Sequence, residues 1–274
     1  MKIGRMNLWK KDGVEYLTFP ELERFPGLVH SFSTRIGGVS PGAYASMNLN
    51  FRRGDSDENV LENYRCFCRA AGFDFDGLVA SAQDHHTFLR RVGEAEKGVG
   101  FTRPRDMESV DGLCTDVPGV ALVTSYADCV PLYFFDPRRR AIALAHAGWR
   151  GTVARIGEKM VRKMQSEFGS DPASLIAAVG PSIGPCCYEV DAPVRDRVLA
   201  LSDIRPAEVM TDLHNGKYML NLWECNRRIL AAAGVRNLSV GEVCTKCHPE
   251  LFFSHRAMGQ ARGGMVAMME LKKG

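Results

Sequence analysis

Two apolar runs joined by a short basic turn form the segment TSYADCVPLYFFDPRRRAIALAHAGWRGT, residues 124–152. Runs of this length and composition are typical of buried β-strands. Cys129 stands at the start of the first run and His146 near the end of the second. Upstream, the sequence QDHH places Gln83 and His85 after another apolar run. Thiol and imidazole groups in these positions can bind a metal, act as a nucleophile with its base, or simply pack.

The composition is that of a soluble globular protein. Of the 274 residues, 45% are hydrophobic and 24% are charged, which suits one large domain or two small ones. No apolar run approaches the length of a membrane span, and the N-terminal residues lack the apolar core of a signal peptide. We therefore expect no membrane partner.

Charge and cysteine content narrow the class of protein further. The net charge of +3 is dispersed, and its one dense block, Arg138–Arg140, is typical of a solvated turn. We therefore expect no nucleic-acid partner. The nine cysteines are an odd number in a chain too large to need disulfides, which indicates reduced thiols and a cytoplasmic protein.

Strand and helix patterns mix along the chain without strict alternation. Strand-like runs occur at residues 14–20, 28–35, 77–83, 87–92, 119–129, 130–136, 141–148, 175–180, 238–245 and 264–271. A helix is predicted between Ser56 and Gly72, which are a typical N-cap and a typical stop. Further helices are predicted at 152–169, 192–201 and 220–234. We predict a single α+β domain over residues 1–274, with mixed sheets and outer helices.

Three residues at strand ends are candidate metal ligands. A catalytic zinc site needs about three protein ligands and one open position. His85, Cys129 and His146 each lie at or just past the end of an apolar strand, and neighbouring strand ends lie within ligand reach of each other. The spacing alone also allows three buried polar residues with unrelated hydrogen bonds. Of the adjacent pair His85 and His86, only one can easily join such a cluster.

A second group of cysteines occurs later in the chain. Cys244 and Cys247 in CTKC have the spacing of metal ligands, and PCC supplies the adjacent pair Cys186 and Cys187. Adjacent cysteines rarely both bind one ion, so the sequence disfavours a four-cysteine zinc site. It assigns these cysteines no other role.

Glycine-rich loops provide candidate anion sites. HAGWRGT carries Arg150 into the start of a predicted helix, where free backbone N–H groups favour an anion. FSTRIGGVS presents Arg35 in a similar loop, and GPSIGPCCYE is a third loop that can line a cleft. The alternative for Arg150 is a surface salt bridge beside a close-packed turn.

Several of these segments together resemble one known family. In chain order they are HSFSTRIGGVSPGAYASMNL, RGD, QDHH, VDGL, ADCVPLYFFD, HAGWRGT, GPSIGPCCYEV, and CT followed by FFSHR. They closely resemble the YfiH/YlmD-type family of polyphenol oxidase, or laccase-domain, proteins. The resemblance extends over about residues 14–271, and ADC followed by HAGWRGT is its most specific part.

The resemblance implies a zinc-dependent purine nucleoside phosphorylase that also deaminates adenosine. Its implied substrates are phosphate with adenosine, inosine, guanosine or methylthioadenosine. It implies that His85, Cys129 and His146 are the metal ligands. The implied fold is a sandwich of two sheets flanked by helices, similar to the deamidase domain of the bacterial CNF toxin. The sequence departs from the family at Asp84 and His86, which flank His85, and at Gly264. The family often has an arginine in place of Gly264, and Arg262 is near that position.

A mechanism follows as a hypothesis. Phosphate is expected between zinc and Arg35 or Arg150, from where it attacks the anomeric carbon as the base leaves. Asn48 and Gln83 are candidates to hydrogen-bond the substrate, although each suits a loop-stabilising role equally well. For deamination, Asp111 or Asp128 can move the proton. The stretches that correspond to the H-x-E and P-C-x-x-C motifs of a familiar zinc deaminase read HAG and PCCY here.

Three alternatives stay open. Cys129 and His146 can form a cysteine hydrolase or amidase, with a role in editing peptidoglycan precursors. A copper-dependent polyphenol oxidase is a second alternative, since nitrogen and sulfur ligands suit copper as well as zinc. Seven histidines without an H-x-H pair are nevertheless too few for a multicopper laccase. The third alternative is an interaction protein with a structural metal. A monomer and a homodimer are both compatible with the sequence.

Overall fold

A computed structural model describes residues 1–51 and 53–273. In chain order the strands are β1 (Lys2–Ile3), β2 (Met6–Lys11), β3 (Val14–Thr18), β4 (Leu28–Ser33), β5 (Leu78–Ala80), β6 (Phe88–Arg91), β7 (Val110–Thr115), β8 (Ala121–Tyr126), β9 (Val130–Asp136), β10 (Ala141–Ala147), β11 (Ile176–Val179), β12 (Glu189–Asp191), β13 (Met210–Asp212), β14 (Lys217–Leu220), β15 (Asn237–Val240) and β16 (Met265–Leu271). The α-helices are α1 (Pro20–Glu23), α2 (Asp57–Ala71), α3 (Trp149–Val153), α4 (Ile156–Phe168), α5 (Ala192–Leu199), α6 (Pro206–Val209), α7 (Leu222–Ala232) and α8 (His255–Met258). Short 3₁₀ turns lie at Gly42–Tyr44, Phe75–Gly77, Glu94–Glu96 and Pro172–Ser174.

Two large mixed sheets pack face to face. The first has the strand order β1-β2-β3-β4-β16-β8-β5 and the second β15-β11-β9-β10-β7-β6. A buried apolar cluster joins Phe32 and Leu122 of the first sheet to Tyr133 and Leu144 of the second. Strands β12, β14 and β13 form a small third sheet. The structure confirms the predicted α+β fold of mixed sheets flanked by helices.

The alternation of side chains along β9 and β10 explains how this sandwich is filled. Ile142 and Leu144 contribute to the cluster between the sheets, whereas Ala143 and Ala145 contribute to the cluster under the outer helices. This is the period of two expected for a strand buried on both faces. His146 follows in the same alternation as Ile142 and Leu144, which places it on the inter-sheet side at the end of the strand.

The outer helices cover the two sheets. Helix α2 packs on the first sheet through residues such as Val60 and Phe67, and α4 and α7 pack on the second through Met160 and Ile229. Helix α2 begins and ends as predicted. At its start, the side chain of Ser56 accepts a hydrogen bond from the backbone N–H of the third helical residue, and at its end Gly72 has a φ of 83°. None of the described helices is long and apolar enough to cross a membrane.

Some predicted boundaries were wrong. The helix predicted at 152–169 is interrupted, because Arg155 has a φ of 61° and its side chain pairs with Asp203 and Glu158. The strand predicted at 77–83 covers only three residues, and the strand predicted at 238–245 ends at Val240. Strand β7, which carries the VDGL motif, was not predicted.

Candidate metal centre and active site

The pairing of β9 with β10 brings Cys129 close to His146. Cys129 directly precedes β9, and His146 lies opposite Pro131 in the antiparallel register. His85 lies in the loop after β5, which pairs in parallel with the first half of β8 in the first sheet. The three residues therefore meet at one rim of the sandwich, where ends of both sheets come together.

The geometry of these three side chains fits one metal ion. The ligand atoms of His85, Cys129 and His146 all lie within 4.8 Å of one another. The Sγ atom of Cys129 is 3.9 Å from Nε2 of His85. Zinc–sulfur and zinc–nitrogen bonds of about 2.3 and 2.1 Å require separations of this order. His146 is buried, Cys129 is partly buried and His85 is exposed. The cluster therefore faces solvent on the side of His85.

The buried carboxylate of Asp111 holds the cluster together. It accepts hydrogen bonds from the backbone N–H groups of Asp84, His85 and His86 at 3.0–3.2 Å. It also accepts one from Nδ1 of His146 at 2.8 Å. The backbone bonds stabilise His85 in a left-handed conformation with a φ of 71°. The bond to His146 leaves Nε2 available to a metal, as in other carboxylate–histidine–metal arrangements.

The electrostatics of the cluster favour a thiolate. Burial alone raises the pKa of the Cys129 thiol, but His146 and His85 lower it to about 6. Burial alone lowers the pKa of His146, but Cys129 and Asp111 raise it to about 9. A thiolate is the form of cysteine that binds metals and acts as a nucleophile.

Close packing at Gly148 delimits the cluster on another side. A Cβ atom at this residue would lie 3.0 Å from Sγ of Cys129 and 3.2 Å from Cδ2 of His85. These separations are shorter than ordinary carbon contacts. Gly148 therefore allows the start of α3 to approach the two side chains directly.

Arginines surround a cavity of about 170 Å³ beside the three candidate ligands. Its lining includes Arg53, Arg105 and Arg262 together with Gln83 and Tyr126. Arg262 is only 5% exposed, and its Nε has no hydrogen-bond partner among the described residues. Burial and the charge of Arg53 lower the pKa of Arg262. A buried guanidinium with an unpaired donor is the kind of group that a bound anion would satisfy.

A second cavity, of about 220 Å³, continues from the first. The two share Asn50, Arg105 and Ser125 in their linings. The second one is lined by the aromatic rings of Phe51, Tyr64 and Phe101. Tyr64 meets Phe101 edge to face at 4.7 Å between ring centroids. A larger cavity of about 640 Å³ lies elsewhere and contains none of the three candidate ligands.

Comparison with known proteins places the chain in a family. The family model described as multi-copper polyphenol oxidoreductase laccase matches residues 29–272. The chain belongs to this family. The purine nucleoside phosphorylase YlmD of Geobacillus stearothermophilus is 38% identical over 248 residues, which are 89% of this chain and 90% of that protein. The purine nucleoside phosphorylase YfiH of Escherichia coli K12 is 31% identical over 240 residues, which are 88% of this chain and 93% of that protein.

Solved structures agree with this assignment. The crystal structure of the hypothetical protein YfiH from Bacillus licheniformis superposes with a TM-score of 0.92 at 32% identity. The superposition covers 98% of this chain and 100% of that one. The predicted resemblance to the YfiH/YlmD-type laccase-domain family is therefore confirmed.

Of the four substrate residues predicted from the sequence, Gln83 alone lines the cavity beside the three candidate ligands. Its side-chain oxygen accepts from Ser81 and from the backbone of Ser125, and its nitrogen donates to the Ser125 carbonyl. Asn48 is fully buried, and it bonds to Asn50, Asp55 and Gly264. Its contacts are those of a loop-stabilising amide.

The two arginines predicted as anion holders do not line the cavity. The guanidinium of Arg35 donates to the carbonyls of Ala45 and Pro249 and stacks on Phe253. Arg150 is exposed and lies over the ring of Trp149. Both guanidinium groups are thus directed to other partners.

The arginines that do line the cavity beside the three candidate ligands were not predicted from the sequence. In the sequence, Arg53 follows the Asn-rich loop and Arg262 precedes a glycine pair. Arg105 lines both cavities. The available signal was the position of Arg262 near Gly264, where the family pattern often has an arginine. Asp128, a predicted proton carrier, instead accepts from Thr245 and Ser254.

Proposed function

We propose that this protein is a zinc-dependent purine nucleoside phosphorylase. The observation that carries the proposal is the convergence of Arg53, Arg105 and Arg262 on the cavity that also contains the His85–Cys129–His146 cluster. Arginine forks match the oxygens of phosphate, and a buried guanidinium binds such an anion strongly. The names of the relatives YlmD and YfiH support the same reaction.

In the proposed reaction, phosphate replaces the purine base on the sugar. A phosphate oxygen forms a bond to the anomeric carbon, the bond from that carbon to the base nitrogen breaks, and the base leaves with the proton that hydrogen phosphate gives up. Arg262 and its two neighbouring arginines hold the phosphate and neutralise its charge. This revises the sequence hypothesis, in which Arg35 or Arg150 held the phosphate.

His85, Cys129 and His146 would hold the zinc ion. When bound there, zinc supplies Lewis-acid chemistry that polarises a phosphoryl oxygen or lowers the pKa of water. The carboxylate of Asp111 orients the His146 ring and the loop that carries His85. Copper suits the same ligands. Metal analysis of the purified protein would identify the ion.

The nucleoside is proposed to extend into the second cavity. The rings of Phe51 and Phe101 there suit the faces of a purine, and Arg105 lines both cavities. Adenosine, inosine, guanosine and methylthioadenosine are the proposed substrates, with deamination of adenosine as a second activity. The free state of all nine cysteines supports a cytoplasmic location.

A cysteine hydrolase is the second candidate, and one observation favours it. The low pKa of Cys129, about 6, beside a protonated His146 is the arrangement of an activated cysteine nucleophile. A hydrolase keeps its activity after chelation and loses it on alkylation of the thiol. A zinc phosphorylase loses activity on chelation and regains it with added zinc.

The test is an assay of the purified protein with four nucleosides, with and without phosphate. We expect free base and ribose 1-phosphate in equal amounts and only when phosphate is present. Replacement Arg262→Gln should raise the KM for phosphate about tenfold or more, because a charge-assisted hydrogen bond contributes roughly 1.5–3 kcal/mol. The matched control Arg138→Gln changes an exposed turn arginine and should leave that KM unchanged. Base release that is independent of phosphate would contradict the proposal.

A further inference from the structure

Four cysteines from two distant segments form a second cluster, which contains none of the three candidate ligands. Cys186 and Cys187 lie in the loop between β11 and β12, and Cys244 and Cys247 lie in the segment after β15. The four sulfur atoms all lie within 4.8 Å of one another. Cys247 Sγ is 3.5 Å from Cys186 Sγ and 3.5 Å from Cys187 Sγ.

These separations fit a metal ion better than disulfides. Each of the four cysteines is free, and 3.5 Å is well beyond the S–S bond of about 2.05 Å. Four sulfurs at about 2.3 Å from one zinc ion form a tetrahedron with edges of about 3.8 Å. The observed contacts of Cys247 approach that edge.

The loop conformation explains how two adjacent cysteines can take part. The backbone N–H of Cys187 donates to the carbonyl of Gly184 at 2.9 Å, which closes a tight turn. In a strand the side chains of Cys186 and Cys187 would point to opposite faces. In this turn both sulfurs reach Cys247, so the sequence argument against a four-cysteine site does not apply.

The backbone around Cys244 prepares its sulfur as a ligand. Gly184 donates its N–H to Sγ of Cys244 at 3.2 Å. Gly184 can come this close because it has no side chain, since a Cβ there would lie 2.7 Å from Trp223 and 3.1 Å from Cβ of Cys244. Such N–H donors orient and stabilise a metal-bound thiolate.

We propose that Cys186, Cys187, Cys244 and Cys247 form a structural zinc site. Four thiolates close the coordination sphere and leave no position for substrate, which separates this site from the candidate catalytic one. The site joins two loops that both contact Asp128, the residue before Cys129. Ile183 donates to the Asp128 carbonyl at 2.9 Å, and Thr245 donates to the Asp128 carboxylate at 2.6 Å. Zinc here therefore fixes the backbone that carries Cys129.

The test is the zinc content of purified wild-type protein and three variants, measured by mass spectrometry of the metals. The wild type should contain about two zinc ions per chain, one at each cluster. The double variant Cys186→Ser/Cys247→Ser changes exposed residues and should lose one of them, whereas Cys129→Ala should lose the other. The control Cys66→Ser replaces a half-buried cysteine outside both clusters and should keep the wild-type content.

A second measurement uses the unaltered chain, so the proposal does not depend on the folding of a variant. Cobalt(II) in place of zinc should give the intense visible absorption of a tetrahedral four-thiolate centre, which a one-thiolate centre lacks. Its absence would overturn the proposal, and so would an unchanged zinc content in the double variant. A disulfide between any two of these four cysteines, located by peptide mapping of the protein as purified without reductant, would also overturn it.

Discussion

The side chain of Asp111 sets the geometry of the candidate metal centre at the scale of single residues. Sequence alone left Asp111 and Asp128 as equal candidates for moving a proton. The structure separates them, because Asp111 bonds to His146 and to the backbone of His85, whereas Asp128 bonds to Thr245 and other groups of the C-terminal segment. Asp111 therefore positions the candidate metal ligands.

Replacement Asp111→Asn should weaken zinc binding by about 10–100-fold, the usual cost of losing a partner of a ligating histidine. An amide cannot accept from all four donors, because its nitrogen would face an N–H group. The measurement is competition for zinc against a chelating dye. The control Asp116→Asn removes a carboxylate that pairs with Arg91 at the surface, and equal affinities of the two variants would contradict this role.

His30 is a buried group that should make stability depend on pH. It lies in β4, accepts a hydrogen bond from the backbone N–H of Phe19 at 2.8 Å, and its pKa is lowered from 6.5 to about 4 by burial. The unfolded chain therefore binds a proton between pH 6.5 and 4 that the folded chain does not. Stability from this group is complete above pH 6.5 and is lost as the pH falls toward 4.

We expect the folded protein to lose about 2 kcal/mol through His30 between pH 7 and pH 5. The variant His30→Gln keeps an acceptor for Phe19 but has no such titration. Denaturant unfolding of both proteins at both pH values measures the difference. If the wild type and His30→Gln lose equal stability on acidification, His30 is not the titrating group.

At the scale of elements, the residue before the short helix α3 determines how closely the backbone approaches the candidate metal ligands. Gly148, just before α3, has a φ of −61° and a ψ of 174°, which alanine also adopts readily. The need for glycine is therefore steric, since a Cβ would lie against Cys129 and His85.

Replacement Gly148→Ala should weaken zinc binding about tenfold or more while shifting the unfolding midpoint little, because only the two ligands are displaced. Zinc competition and thermal unfolding, measured on the same sample, separate the two effects. The control Gly93→Ala also introduces a methyl group at extended backbone, but its Cβ meets nothing closer than 3.9 Å. Undiminished zinc affinity in Gly148→Ala would show that the ligands tolerate the added group.

The elements also show what the sequence could predict. Helix α2 was predictable because its cap and stop, Ser56 and Gly72, are local signals. The interruption between α3 and α4 was not, because it depends on the pairing of Arg155 with the distant Asp203. Boundaries that depend on tertiary contacts are hidden from local patterns.

The same distinction applies to the candidate site. The apolar strands predicted that His85, Cys129 and His146 stand at strand ends, and those ends do meet in the fold. Arg53, Arg105 and Arg262 come together in loops, where no periodic pattern fixes the direction of a side chain. The four-cysteine cluster was disfavoured for a related reason, since the turn at Gly184 is not evident from the spacing of the cysteines.

At the scale of the whole molecule, the two sheets place the candidate metal ligands and the candidate phosphate-binding arginines at the same rim of the sandwich. The second sheet supplies Cys129 and His146, and the loop after β5 of the first supplies His85. The segment before β16 adds Arg262. The proposed metal and phosphate sites therefore depend on the packing of the complete sandwich.

The most direct test of the account adds zinc to metal-stripped wild-type and Cys129→Ala proteins while following phosphate-dependent release of base from adenosine or inosine. The account predicts that activity of the wild type returns with zinc and that the variant stays inactive at every zinc concentration. Full activity of metal-free Cys129→Ala protein would contradict it.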